Sequence, residues 1–146
     1  MTNTLSINID PKFVRNNGDI KVAVEIWCSN PNKAVNMYGH ISQWDVSRVT
    51  NMEYLFYGHT SFDEDISGWD VSNVHNMSCM FKNASSFNQP IGSWDVSNVS
   101  YMVNMFSWAT AFNQPIGSWN VSNVTNMGGM FDRAYAFNQS IGDWDV

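Results

Sequence analysis

Charge of either sign is scarce in this chain: 14% of its 146 residues are Asp, Glu, Lys or Arg. The seven basic groups nowhere run together. That leaves no patch to neutralise a phosphate backbone or an anionic bilayer surface. Cysteine is nearly absent. Cys28 and Cys79 make no framework of bridges, so an oxidising compartment gains no support. No stretch approaches the roughly 18 consecutive apolar residues of a membrane-crossing helix. The opening MTNTLSINIDPKF lacks a basic segment followed by an apolar core, so it predicts no secretory leader and favours an intracellular protein. Glycine-rich phosphate loops, nucleophile elbows and paired catalytic carboxylates are missing. His40, His59 and His75 are not at metal-ligand spacing with either cysteine. The expectation is therefore no enzyme, no cofactor, no metal, no nucleic-acid partner and no membrane insertion.

The charge that exists is uneven. Residues 1–43 carry four basic and three acidic groups, and residues 44–146 carry three basic and ten acidic, within a net of −6. At 44% hydrophobic the chain is rich enough for a buried core, so disorder is not expected.

What fills the rest is repetition. Trp44, Trp69, Trp94, Trp119 and Trp144 fall 25 residues apart, and so do Ile41, Ile66, Ile91, Ile116 and Ile141, and Val46, Val71, Val96, Val121 and Val146. A fixed period of this length signals a repeat architecture. Within each unit, I-x-x-W-x-V alternates and predicts a short half-buried strand. Met77, Met80, Phe81 and Ala84 follow at i, i+3, i+4 and i+7, as do Met102, Met105, Phe106 and Ala109, and Met127, Met130, Phe131 and Ala134. That spacing predicts a helix of about two turns, with Thr50, Ser100 and Thr125 as N-caps. The predicted fold is an α/β solenoid, a right-handed coil with one short parallel strand and one short helix per 25-residue unit.

Three regions are expected. Residues 1–18 are an arm, in which Leu5, Ile7 and Ile9 alternate as in a strand. Residues 19–40 are a helical cap: Asp19 begins one helix (Ile20, Ala23, Val24, Trp27 inward), Asn30-Pro31 begins a second (Ala34, Val35, Tyr38 inward), and Gly39 ends it. Residues 41–146 are four repeats and a partial fifth. The sequence stops at Val146, inside the strand motif, so either the protein continues there or another chain covers that end, as in self-association.

The unit W-D-V-S-N-V-T-N-M-x-x-M-F-x-x-A-x-x-F-N-Q-x-I over residues 41–146, with WCSNP at 27–31 before it, resembles the repeat of BspA-type bacterial surface proteins and mycoplasma lipoproteins. Similar repeats occur in large DNA viruses and marine microbes. The resemblance implies a leucine-rich-repeat-like coil, with I-x-x-W-x-V as its strand segment, and adhesion or protein binding as its use. The sequence shows no leader, lipid-attachment cysteine near its start or wall-anchor tail of the bacterial surface pattern, so the expectation is an intracellular or virion-associated version rather than cell-surface display.

Two residue sets stand out as candidate sites. Asp45, Asp70, Asp95, Asn120 and Asp145 form a ladder at equivalent places. Stacked carboxylates are a cation site in one reading. In the other, each oxygen accepts from the backbone two residues on, as an Asx-turn. Asn120 favours the turn because it keeps the acceptor and drops the charge. The second set is Tyr54, Tyr57, Tyr101, Trp108 and Tyr135, aromatics where other units carry small or polar residues. Tyr101 and Trp108, at i and i+7, are expected on one side of the third helix. They are either a partner-contact patch or lateral packing between units. The function that follows is a non-enzymatic protein-interaction or structural module, its partner unidentified. The alternatives are a virion or assembly component stacking through its uncapped end, and a cell-surface adhesin.

Overall fold

A computed structural model describes residues 8–146; the alternation at Leu5 and Ile7 lies outside them, and Ile9 is exposed. Helix is confined to the region before the repeats. Helix α1 runs Ile20–Ser29 and helix α2 runs Pro31–Tyr38. Asn30 caps α2 through Oδ1, which accepts from the Lys33 N–H at 3.1 Å, and Pro31 occupies the first position, where its missing N–H costs nothing. Asp19 makes no such cap bond at α1. Instead its carboxylate accepts from the Asn16 N–H and lies 3.0 Å from the Arg15 guanidinium. Ile20, Ala23, Val24 and Trp27 of α1 and Ala34 of α2 enter the core, whereas Val35 is exposed.

The repeats correct the predicted α/β coil. Among the described residues there is no helix after Gln43 and no sheet. Pairing between neighbouring units is reduced to isolated parallel bridges, Asn51 with Asn76, Asn76 with Tyr101, and Tyr101 with Asn126. The predicted strand is a pair of turns. Trp69 N–H donates to the Ile66 carbonyl at 3.1 Å and Val74 N–H to Val71 at 2.9 Å, and both bonds recur in each following complete unit. The predicted helix is a run of turns as well. Leu55 N–H donates to Met52 and Tyr57 N–H to Tyr54, each three residues back.

The cause lies in the backbone. Tyr54, Cys79, Asn104 and Gly129 share one place in the repeat, and Gly58, Asn83, Trp108 and Arg133 share another; all eight have φ between 54° and 73°. A residue in the left-handed region ends any α-helical run. With the chain turned this way, every second N–H points along the stack. Those of Met77, Cys79, Phe81 and Asn83 donate to the carbonyls of Tyr101, Val103, Met105 and Ser107 in the next unit at 2.8–2.9 Å. Thr50, Ser100 and Thr125 therefore cap no helix. The neighbouring Asn51, Asn76 and Asn126 side chains accept from the N–H two residues on.

Most side chains expected inside the repeats are inside, while Met127 and Phe131 are only partly buried. Met77, Met80, Phe81 and Ala84 and their counterparts at 102–109 are buried, because i, i+3, i+4 and i+7 also fall inward in successive three-residue turns. Two aromatic columns run through the core. Phe56, Phe81, Phe106 and Phe131 stack at 5.4–5.8 Å between units. Each of them stacks at 4.0–4.1 Å on Phe62, Phe87, Phe112 or Phe137 of its own unit. The tryptophan rings lie beside the first column. Each indole N–H donates backward, from Trp69, Trp94, Trp119 and Trp144 to the carbonyls of Ile41, Ile66, Ile91 and Ile116 at 2.9–3.2 Å. A buried indole thus satisfies its polar atom while fixing its unit on the one before.

The first residues close one end of the stack. Val14 bridges Asp45, with Arg15 N–H donating to the Asp45 carbonyl at 2.8 Å. Arg15 is 3% exposed, its guanidinium 4.3 Å from the Tyr38 ring centroid and 5.6 Å from that of Trp44.

Candidate functional site

The Asp ladder resolves into Asx-turns. Oδ1 of Asp45, Asp70 and Asp95 accepts from the N–H two residues on at 3.0 Å and from that serine hydroxyl at 2.6 Å. Asn120 makes the same pair of bonds to Ser122 at 3.1 and 2.7 Å. The bonds to Ser97 hold the Asp95 carboxyl below its usual range, since hydrogen bonds to a carboxylate favour the charged form. Asp145 has only Val146 after it. No group of three or more His, Cys, Asp or Glu among the described residues is placed to hold a metal ion.

A prediction follows for Asp95→Asn. The amide keeps the acceptor, so urea midpoints at neutral pH should move by less than about 0.5 kcal/mol. The sign with pH is fixed by the lowered carboxyl. Its contribution is present above the unfolded carboxylate range and is lost as the pH falls through the folded value. The substitution should remove that part of the acid sensitivity. A loss above about 1 kcal/mol at neutral pH would instead mean that the charge itself is used.

Beside these turns run side-chain ladders that sequence reasoning missed. Asn88, Asn113 and Asn138 N–H groups donate to Oδ1 of Asp63, Asn88 and Asn113, each at 2.9 Å. Gln89, Gln114 and Gln139 reach back to the same residues. Asn73, Asn98 and Asn123 donate to the Ser47, Ser72 and Ser97 carbonyls. Both ladders recur in the sequence as Phe-Asn-Gln and Ser-Asn-Val. Asp63 is thus the first member of one ladder.

The five off-pattern aromatics are divided by the structure. Tyr54 and Tyr57, on the first unit, meet edge to face at 5.6 Å. A hydrogen bond with Cys79 is the largest cause pushing the Tyr54 hydroxyl above its ordinary range. Tyr101 stands in the bridge row in place of asparagine, so it does not share a helix side with Trp108. Trp108 and Tyr135 come together from adjacent units, edge to face at 6.5 Å. Arg133, which sequence reasoning did not single out, places its guanidinium 4.5 Å from the Trp108 ring centroid. Trp108 is 39% exposed and Tyr135 73%.

That cluster contains a local conflict. In the place shared by Gly58, Asn83, Trp108 and Arg133, glycine and asparagine suit a positive φ. Trp108 (φ 59°) and Arg133 (φ 57°) do not, and these two touch each other. A bulky residue held left-handed costs about 1 kcal/mol or more.

A cleft of about 380 Å³ lies between the helical region and the first repeat, with Trp27, Cys28, His59, Asp63 and Glu64 on its walls. His59 Nε2 is 3.0 Å from Glu25 Oε1, bridging α1 to the first unit. Burial, with the Glu25 charge second, pushes the Cys28 thiol up to about 12. It is therefore protonated at neutral pH and a poor nucleophile.

A family model described as "Mycoplasma protein of unknown function, DUF285" matches residues 28–144. No curated protein and no solved structure matches the chain. Among the described residues, no helix is long and apolar enough to cross a membrane.

Proposed function

As the chain belongs to the DUF285 family of Mycoplasma proteins of unknown function, we propose that it is a non-enzymatic protein-interaction module whose contact patch is Trp108, Arg133 and Tyr135. One observation carries the reading. Two residues hold a backbone conformation that disfavours their type, and they use it to set an indole under a guanidinium at the surface. Strained, partly exposed groups mark functional surfaces more often than structural ones, and Trp, Tyr and Arg are the residues that dominate binding energy at protein interfaces. The rest of the unit acts as a rigid frame, with buried aromatic columns and side-chain ladders fixing each unit on its neighbour. The protonated thiol and the Asx-bound carboxylates fit a frame better than a reaction centre.

The test is Trp108→Gly, which installs the residue that the first unit has at this place. Its stability in urea should stay within about 1 kcal/mol of the parent, because the relief of strain offsets the lost ring contacts. Capture of the parent's partners from host extract should fall at least tenfold for the variant. A stability loss above about 2 kcal/mol, or capture that does not change, removes the patch as an anchor.

A further inference from the structure

Along one edge of the stack, three kinds of bond reach back by one unit. The Asn88, Asn113 and Asn138 N–H groups donate to Oδ1 of the residue 25 places earlier at 2.9 Å. Nε2 of Gln89, Gln114 and Gln139 donates to the carbonyl and Oδ1 of that same residue at 2.8–3.2 Å. The Ser85 and Thr110 hydroxyls donate to the Thr60 and Ser85 carbonyls. In the first unit these places hold Asp63, Glu64 and Thr60, and α1 and α2 stand where a preceding unit would be. Tyr38, 25 places before Asp63, lies instead against Arg15 and Trp44. Among the described residues nothing accepts from the Asp63 N–H or the Thr60 hydroxyl, and the Glu64 carboxylate has no partner. Asp63, Glu64 and Thr60 all line the cleft of about 380 Å³ beside Trp27 and Phe62, a volume within the range of small-ligand sites.

We propose that this cleft is a binding site for a primary carboxamide carried on an apolar body. The later units show the bound arrangement, because in them the Asx side chain of the unit before fills the same place. There the backbone N–H and the glutamine amide converge on one oxygen, so both places lie within reach of one small group. The first unit changes half of that pairing: Glu64 replaces the glutamine and turns a donor into an acceptor. The occupant must accept from the Asp63 N–H and donate to the Glu64 carboxylate, which a carboxamide does with its C=O and its NH2. A carboxylate in that position meets Glu64 as a like charge. An ammonium leaves the Asp63 N–H unpaired. It also finds the neighbouring carboxylates engaged, Oδ1 of Asp63 by Asn88 and Gln89, and Glu25 by His59. The apolar body rests toward Trp27 and Phe62.

The probes are phenylpropionamide, phenylpropionate and phenylpropylammonium, each titrated at millimolar concentration into the isotope-labelled 146-residue protein. The amide should bind at least tenfold more tightly than either ion. It should move the Asp63 amide proton downfield and shift those of Thr60 and Glu64. Glu64→Gln changes an exposed residue and should bring the carboxylate to within about threefold of the amide. A Phe-Asn dipeptide blocked by acetyl and methylamide groups separates two sources of the carboxamide. Tighter binding of the dipeptide than of phenylpropionamide supports the site with a protein side chain as its occupant, and the reverse order supports it with a small molecule. Equal binding of the three probes, tighter binding of either ion, or no shift at Thr60, Asp63 and Glu64 overturns the proposal. An unchanged preference in Glu64→Gln overturns it too. So does an Asn3→Ala variant that shifts the same three amides with no probe added, since that result gives the cleft to the chain's own first residues.

Discussion

Phe106→Ala is expected to cost about 4 kcal/mol, the middle of the range for emptying a fully buried phenylalanine site. Phe106 is completely buried and touches aromatic rings on every side: Phe81 at 5.6 Å, Phe112 at 4.0 Å, Phe131 at 5.8 Å and Trp119 at 6.4 Å. Phe81 and Trp119 are held across unit boundaries, by the Phe81 N–H on the Met105 carbonyl and the Trp119 indole on that of Ile91, so they resist collapse into the space. The loss would be a large share of the roughly 5–15 kcal/mol that holds an ordinary domain. It should also spread unevenly. Units in a stack are stabilised by their neighbours, so exchange should accelerate first in residues 116–146, which rest directly on the third unit. Phe131→Ala supplies the comparison, since Phe131 is only partly buried and should cost less than half as much. A denaturant titration checks both. Equal losses at the two positions would mean that the column is not what holds the units together.

Gly39→Ala should be nearly as damaging, by about 3 kcal/mol, though a methyl group is all it adds. Gly39 ends α2 with φ 75° and ψ 178°, a region almost reserved for glycine. A Cβ there would fall inside the Phe13 ring. Two costs therefore add: backbone strain and overpacking. The Gly39 carbonyl also accepts the Trp44 indole N–H at 3.0 Å, so a shift of this residue is felt by the first tryptophan. The damage should be local at first. Fluorescence of Trp44 and exchange around Val14, which bridges Asp45, should change before the inner units do. A variant with parental stability and unchanged exchange near Val14 would show that Phe13 can swing away freely.

These two residues also mark how far the sequence could be read. Gly39 was legible because helix ends carry strong local chemistry: Asn30 and Pro31 open α2 and a glycine closes it. Phe106 was legible as core, since it repeats every 25 residues with its apolar neighbours. Its backbone was not. The spacing of Met102, Met105, Phe106 and Ala109 satisfies a helix and a run of turns equally well, because both bring residues three and four apart to one side. Only the left-handed places separate the two, and these are disguised. Glycine or asparagine shows at Gly58, Asn83, Asn104 and Gly129, but Tyr54, Cys79, Trp108 and Arg133 carry the same conformation with no sign of it in their type. The alternation of Trp and Val suggested a strand for a similar reason, since a turn ending at Trp94 and another beginning at Val96 also send those two side chains inward. The Asx-turns, being local, were readable from Asp-Val-Ser and from Asn120. The pairing of Trp108 with Arg133 was not, because it depends on how one unit registers on the next.

The backbone bonds between units have an electrical consequence, since twelve N–H groups donate toward one end of the stack and four, those of His75, Ser100, Tyr101 and Thr125, toward the other. Each peptide group carries a dipole of about 3.5 D, and the twelve N–H groups that bond between the turn runs of successive units all point toward the end of the stack nearest Val146. The backbone therefore gives that end a partial positive charge and the end under α1 a partial negative one. Side-chain charge does not simply oppose this field: residues 44–68, in the unit beside α1, sum to −4, and residues 119–146, at the other end, to −2. Asp132, Asp143 and Asp145 thus lie where the backbone favours them, as acidic residues do at the start of a helix, whereas the acid-rich first unit lies where it does not.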